Sequence, residues 1–106
     1  MKRITIGSSC IEIQEKDLPG PMTSEDAFET CRNLGNSWGL PTISELNEMF
    51  ENRDSTDGYA NVSYWSSTKD EFGDSYYMEF FDDECRSQIN TDGDAECYVR
   101  AVRSIG

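Results

Sequence analysis

The spacing of hydrophobic residues predicts two amphipathic helices in the first half of the chain. Each helix carries apolar residues at helical spacing on one face, as a helix packed against a core does. The first is predicted to begin at Thr23 or Ser24, either of which can cap it, and to end at Gly35. The second is predicted over residues 43–51. The two apolar stripes are Ala27, Phe28, Cys31 and Leu34, followed by Ile43, Leu46, Met49 and Phe50.

The second helix begins at the best-defined local motif in the sequence, just after Trp38. Thr42 precedes Glu45 by the spacing of a capping box, in which each side chain accepts a bond from the other residue's backbone N–H. Pro41 favours an extended conformation at Leu40, so the helix cannot start earlier. This stretch is therefore predicted to be a capped strand-to-helix joint.

Alternation of apolar and polar residues predicts strands on both sides of the helices. Residues 4–6 and 10–14 form a predicted N-terminal hairpin around a Gly-Ser-Ser turn. Later strands are predicted over residues 62–67, 75–81, 86–89 and 96–103. The strand at 75–81 has apolar residues on both faces, which predicts a central position in a sheet. In the last strand, Cys97, Val99 and Ala101 are expected to face the same way.

The order of these elements predicts one α+β domain over residues 1–106. We expect both helices to pack on one side of a twisted antiparallel sheet. A chain of 106 residues has the size of an ordinary domain and can bury a hydrophobic core without obligatory disulfides. No internal repeat or linker divides it.

The charge of the chain restricts its partners. With 21 acidic and 9 basic residues, its net charge is −12, which disfavours nucleic acids and anionic membrane surfaces. No apolar run is long enough to insert in a membrane. Met1 is not followed by a sustained apolar region, so a cytoplasmic location is expected if Met1 is the native start. That expectation does not hold if an export signal was removed.

The residue types limit the available chemistry. The chain has no histidine, the commonest general base and metal ligand. Its four cysteines include no C-x-x-C pair, which disfavours a zinc ribbon, and they leave three disulfide pairings open. In a reducing compartment they would remain thiols. Cys31 and Cys97 fall on apolar faces, so we expect them to be small buried hydrophobes.

Three segments in a fixed order carry a resemblance to a known family. They are residues 27–34 leading into 38–46, residues 64–68 (Tyr-Trp-Ser-Ser-Thr) and residues 98–103 (Tyr-Val-Arg-Ala-Val-Arg). The set resembles a bacterial family of unknown function that includes the C-terminal domain of Legionella collagen-like adhesins and the Fibrobacter major paralogous domain. The resemblance covers about residues 23 to 103. It implies a C-type-lectin-like fold, related to formylglycine-generating enzymes and to the variable ligand-binding proteins of diversity-generating retroelements.

The chain departs from the family pattern at two places. Gly39 stands where the family usually has arginine, and residues 83–85 stand where it tends to have a glycine. The family pattern marks Trp38, Trp65, Arg100 and Arg103. For these residues we prefer a structural role, together with Pro41, Thr42 and Glu45. The tryptophans are expected to fill the core, and the arginines to bridge strands to carboxylates or backbone carbonyls.

Tyrosines and acidic turns supply the candidate ligand-binding residues. Tyr59 and Tyr77 are expected to be the most exposed tyrosines, and a tyrosine suits sugar or protein recognition. The acidic residues lie in two turns: Asp82, Asp83 and Glu84, then Asp92 and Asp94. Such oxygens could bind calcium, but the glycine of the second turn comes too early for an EF-hand. We therefore expect solvated turns and no cofactor, with calcium as the alternative.

These observations favour a non-enzymatic module that binds a protein or a glycan through its loop-rich face. Function is expected in the loops between Tyr59 and Glu96. One alternative is a thiol or copper oxidase domain that uses Cys85 and Cys97, as implied by the relation to formylglycine-generating enzymes. Another is a purely structural subunit that contacts copies of itself. The identity of the ligand and the oligomeric state stay open.

Overall fold

The computed structural model describes residues 2–54, 58–81, 84–91 and 95–105. Within these ranges the chain forms an α+β domain with two helices and two antiparallel sheets of three strands each. The elements are β1 (Lys2–Ile6), β2 (Ser9–Ile13), α1 (Ser24–Leu34), α2 (Ile43–Glu51), β3 (Ser63–Lys69), β4 (Ser75–Phe80), β5 (Cys85–Ile89) and β6 (Val102–Ser104). The predicted α+β class is confirmed, but the expectation of a single sheet is wrong.

The first sheet has the strand order β1-β2-β6 and contains the predicted N-terminal hairpin. Ile4 lies opposite Ile11 and Ile6 opposite Ser9, which leaves a two-residue turn. Gly7 in that turn has a φ of 62°, a conformation that few other residues adopt readily. β6 pairs with the other edge of β2, so the last strand of the chain completes the sheet begun by the first two.

The second sheet has the order β3-β4-β5, and β4 is its central strand, as predicted. Tyr64 and Trp65 are consecutive in β3, so their side chains point to opposite faces of the sheet. Tyr64 lies opposite Met78 and Trp65 lies opposite Tyr77. Both faces of this sheet are therefore covered by aromatic and aliphatic side chains.

Each face of the second sheet carries its own hydrophobic cluster and its own helix. The buried members of the first cluster are Ile4, Ile11, Ile13, Leu46, Met49, Phe50, Tyr64, Met78, Phe80 and Val102. Those of the second cluster are Ala27, Cys31, Leu40, Trp65, Cys97, Val99 and Ala101. The side chains of α2 belong to the first cluster and those of α1 to the second. The expectation that both helices lie on one side is therefore wrong, because adjacent residues of β3 supply the two clusters.

Both helix starts are capped as the sequence predicts. The Thr23 hydroxyl accepts a bond from the Asp26 N–H at 3.3 Å at the start of α1. At α2, Thr42 Oγ1 accepts from the Glu45 N–H at 3.1 Å, and Glu45 Oε1 accepts from the Thr42 N–H at 2.8 Å. The Ile43 N–H donates to Thr68 Oγ1 at 3.0 Å, so the capped joint is also fixed to β3.

The predicted strand at 96–103 is divided in the structure. Only its end belongs to β6, while residues 97–101 form what we call the linking segment, which bonds to several separate parts of the chain. Cys97 is bridged to Met22 and Tyr98 to Tyr64, and the carbonyls of Val99 and Ala101 accept bonds from Leu18 and Gln14. The predicted alternation is confirmed, since Cys97, Val99 and Ala101 all lie in the second cluster.

A buried carboxylate on β2 links the three strands of the first sheet through their side chains. The Glu12 side chain is 8% exposed and lies between two arginines. Arg103 Nε donates to Glu12 Oε1 at 2.7 Å, and Arg3 Nε donates to Oε2 at 3.3 Å. The hydrogen bond from Arg103 lowers the pKa of Glu12 from its usual 4.5, against the opposing effect of burial.

The capping box should contribute measurably to stability. We expect Thr42→Ala to lower the free energy of unfolding by about 1 kcal/mol, because the Glu45 N–H loses the Thr42 hydroxyl as its partner. Urea denaturation measures the difference. Ser44→Ala is the matched control: Ser44 is exposed in the first turn of the same helix, outside the capping box, and the change should be neutral or slightly stabilising. An equal loss in both variants would contradict the role of the cap.

Glu12 should make stability depend on acidity. Its pKa is lowered in the folded state, so its contribution is complete above pH 4.5 and is lost as the pH falls through the lower, folded-state pKa. We expect Glu12→Gln to have a lower melting temperature than the wild type at neutral pH. The difference should shrink between about pH 5 and about pH 2. Glu29→Gln, at an exposed position of α1, should follow the wild type throughout. A constant difference for Glu12→Gln would contradict the ion pairs.

Candidate functional site

An open pocket lies beside the C-terminal end of α2, and we call it the α2-end pocket. Its volume is about 490 Å³. It is lined by Phe50, Arg53, Asp54, Gly58, Tyr59, Ala60, Asn61, Phe80 and Phe81. Four aromatic rings and three hydrogen-bonding side chains thus meet in one concave site, at the start of the loop region where function is expected.

The end of α2 holds the cationic side of the pocket. Arg53 follows the helix, and its Nη1 donates to the carbonyl of Phe50 at 2.7 Å. Its guanidinium carbon lies 3.6 Å from the centre of the Phe50 ring. A cation at a helix C-terminus is favoured by the helix dipole and by the last free carbonyls. The sequence of the helix end therefore places Arg53 at the wall of the pocket.

The opposite side of the pocket is held by a buried arginine from the linking segment. The Arg100 side chain is 2% exposed, and its Nε donates to Asp17 Oδ1 at 2.8 Å. Its Nη2 donates to the carbonyl of Gly58 at 3.3 Å, and the guanidinium lies 4.4 Å from the centre of the Tyr59 ring. Arg100 therefore fixes both the backbone and the aromatic ring of this loop.

Tyr64 completes the support of the same loop from β3. Its hydroxyl donates to Asp17 Oδ2 at 2.8 Å and accepts from the Ala60 N–H at 3.1 Å. Burial is the main cause that raises the pKa of Tyr64, so the hydroxyl stays protonated at neutral pH. Asp17 thus receives bonds from both Tyr64 and Arg100, and together these residues position the loop of Gly58, Tyr59 and Ala60.

The structure does not separate Tyr59 and Tyr77 from Tyr76 and Tyr98 by exposure. All four are half-buried. Tyr59 packs edge-on against Phe80, with ring centres 5.4 Å apart, and Tyr77 packs edge-on against Trp65 at 5.5 Å. Burial raises the pKa of Tyr77. Because Tyr77 points to the face of α1, the two tyrosines do not share a site, and only Tyr59 lines the α2-end pocket.

Most of the predicted acidic site lies outside the described residues, namely Asp82, Asp83, Asp92 and Asp94. Glu84 is exposed and lies 3.6 Å from Nη2 of Arg86, a surface ion pair of the kind that contributes little to stability. In the described part of the chain, no three cysteine or acidic side chains are grouped closely enough to hold a metal ion.

The residues marked by the family pattern make structural contacts. Trp65 is fully buried, and its Nε1 donates to the carbonyl of Met22 at 2.6 Å. Trp38 is half-buried, with the Arg103 guanidinium 4.6 Å from its ring centre. Arg103 bonds to Glu12 and Arg100 to Asp17, which are the carboxylate bridges that we expect for both arginines.

Several residues that line or support the pocket are not predicted from the sequence, which offers only partial signals for them. Phe81 sits at the end of an alternating strand, and Arg53 follows a predicted helix, so both positions could be marked as element ends. Asp17 carries no local signal, because its partner Arg100 is 83 residues away. Asn61 lies in a polar loop without a distinguishing pattern.

The function of this chain is inferred from the chemistry of the pocket itself. Over the described residues, neither helix combines the length and the hydrophobicity that crossing a bilayer requires. No protein-family model matches the chain, and no curated protein matches it.

Proposed function

We propose that this chain is a non-enzymatic binding module that takes a glycan in the α2-end pocket. The observation that carries the proposal is the convergence of aromatic rings with Arg53, Asp54 and Asn61 in one open pocket. A sugar ring offers apolar C–H faces that stack on aromatic rings, and hydroxyls that bond to such polar side chains. A volume of about 490 Å³ lies within the range of small-ligand sites.

The aromatic part of the pocket has an accessible ring on a rigid base. Phe50 and Phe80 are 4% and 2% exposed and form the base. Phe81 is 41% exposed, so it is the ring that a ligand can cover. Tyr59 is held between Arg100 and Phe80, which limits the conformational entropy that it can lose on binding.

The polar side of the pocket supports a glycan over a protein ligand. Sugars need donors and acceptors close together, and a guanidinium, a carboxylate and an amide line this one pocket. A stable protein interface usually buries at least about 1,000 Å² over a broad surface, whereas this site is a single concave pocket. Binding in this form requires no metal ion, because the side chains supply the hydrogen bonds directly.

The resemblance described above supports the same proposal. It implies a C-type-lectin-like fold with ligands on the loop-rich face, and we propose that fold family for this chain. The α2-end pocket is formed largely by the loop of Gly58, Tyr59 and Ala60 together with Phe81, beyond the end of β4. Its position therefore agrees with a loop-borne site.

The arrangement of the cysteines does not favour the oxidase alternative. All four are free thiols. Cys97 belongs to the second cluster and Cys85 packs against the first, so they lie on different faces of the β3-β4-β5 sheet. Burial raises the pKa of Cys97 to about 12 and also raises the pKa of Cys85. A reactive cysteine needs the opposite shift, towards the thiolate.

The proposed site can be tested with a glycan array, followed by calorimetry with the strongest oligosaccharide. We expect Phe81→Ala to weaken binding about tenfold, because the stacking surface is lost. Phe72→Ala is the matched control, since Phe72 is 81% exposed in the turn between β3 and β4 and lies outside the pocket. Binding should be unchanged by EDTA. The proposal fails if no glycan binds, or if both phenylalanine variants bind like the wild type.

Thiol alkylation distinguishes the binding module from a thiol enzyme. Under native conditions at about pH 7.5, iodoacetamide should label Cys31 and Cys97 only very slowly, because both thiols are buried and their pKa values are raised to about 11 and about 12. Peptide mass spectrometry measures each site. All four cysteines should react in urea, which serves as the control. Fast, selective labelling of Cys85 or Cys97 in the native protein would count against the binding module.

A further inference from the structure

A second cavity lies between α1 and the joint that leads into α2, and we call it the Gly39 groove. Its volume is about 630 Å³. It is lined by Phe28, Cys31, Arg32, Gly35, Ser37, Trp38, Gly39, Leu40 and Ser67. Most of this wall is apolar, and none of its residues lines the α2-end pocket. It is therefore a separate site on the α1 side of the second sheet.

The fold does not explain why residue 39 is a glycine. Gly39 is not among the glycines with positive φ, so its backbone conformation is open to other residues. A Cβ built at this position would meet no atom within 4 Å. Its N–H and carbonyl bond to the carbonyl and N–H of Val102 at 2.8 and 2.9 Å, which any extended residue except proline can do. The effect of the glycine is that the groove stays open.

The walls of the groove are held in place by the surrounding structure. The ring of Trp38 lies under Arg103, which is itself bonded to Glu12. The adjacent turn contains two consecutive non-glycine residues with positive φ, Asn36 at 54° and Ser37 at 67°. Such conformations persist only where the surroundings hold them, and here Arg103 Nη1 donates to the Asn36 carbonyl at 3.5 Å. A ligand would therefore find a site that is already formed.

The charge at the groove selects the ligand. Among the described residues that line it, Arg32 alone is charged. Arg32 is exposed in the last turn of α1, and within the part of the chain that the structure describes it has no ion-pair partner. It is one of only 9 basic residues in a chain of net charge −12. A guanidinium beside an apolar wall suits a ligand with one carboxylate or sulfonate group.

We infer that the Gly39 groove binds a small molecule with an aromatic or aliphatic body and one anionic group. The apolar body lies against Phe28, Trp38 and Leu40, and the anionic group pairs with Arg32. The volume fits such a molecule, since small-ligand sites are typically about 300 to 1,000 Å³ and mostly apolar. Cys31 contributes to the wall without reacting, because burial raises its pKa to about 11. The inference does not depend on the glycan site.

The test uses the full chain and two fluorescent probes of similar shape. 1-Anilinonaphthalene-8-sulfonate carries one negative charge, and N-phenyl-1-naphthylamine is neutral. We expect saturable binding of one sulfonate probe per chain, with displacement by decanoate. Without saturable binding, or with binding that decanoate does not reduce, the inference is wrong.

Substitution of Gly39 tests the location. Gly39→Val should leave the melting temperature unchanged and weaken binding of the sulfonate probe about tenfold, because its side chain occupies the groove. If that variant melts at a lower temperature, Gly39→Ala carries the test with a smaller expected loss, about threefold. Phe81→Ala, in the α2-end pocket, should bind the probe like the wild type. Normal binding by a folded Gly39→Val variant would overturn the inference.

Substitution of Arg32 tests the charge preference. Arg32→Gln should weaken binding of the sulfonate probe about tenfold and leave the neutral probe unaffected. Arg86→Gln is the matched control, because Arg86 is an exposed arginine on β5, away from the groove. Equal losses for both probes, or equal effects of the two arginine variants, would contradict the ion pair.

Discussion

The ion pair between the buried Arg100 and the partly buried Asp17 is the interaction on which the arrangement of the chain depends. Arg100 donates to Asp17, to the carbonyl of Gln14 and to the carbonyl of Gly58, so it joins the segment after β2 to the loop before β3. Removing one partner of a buried pair commonly costs about 3 to 5 kcal/mol, because the other charge stays desolvated. In the described part of the chain no buried side-chain nitrogen or oxygen lacks a partner, so hydrogen bonds offset part of the desolvation cost of this network.

The same network connects the fold to the α2-end pocket. Arg100 belongs to the linking segment, whose backbone also bonds to β3 and to the stretch before α1. By covering one face of Tyr59 and holding the Gly58 carbonyl, it turns a polar loop into a rigid wall of the pocket. The Arg100 charge, whose burial has a desolvation cost, thus gives the candidate ligand site its shape. The Gly39 groove is held in a comparable way by Arg103, so each cavity has one arginine behind its aromatic wall.

The local elements could be predicted because their causes are local. The start of α2 follows from the capping box of Thr42 and Glu45. The burial of β4 on both faces follows from its apolar residues on both faces. The division into two sheets could not be predicted, since the linking segment bonds to separate, distant parts of the chain, from Gln14 to Tyr64, through single contacts that leave no periodic pattern. The partial burial of Tyr77 could not be predicted either, because alternation along β4 fixes its face of the sheet but not which helix covers that face. Four of the five acidic candidate residues fall outside the described residues, and the pocket residue Asn61 has no sequence signal that separates it from an ordinary loop position.

The adjacent pair Tyr64 and Trp65 makes β3 sensitive to changes in chain length. One residue of the pair supplies the core under α2 and the next supplies the core under α1. A single-residue insertion or deletion before the pair would exchange their faces and misplace both cores at once, whereas the same change in a one-sided strand would disturb only one. We therefore expect length variation among related chains to concentrate in the turns, such as the one around Phe72, and to be absent from the part of β3 that leads into the pair.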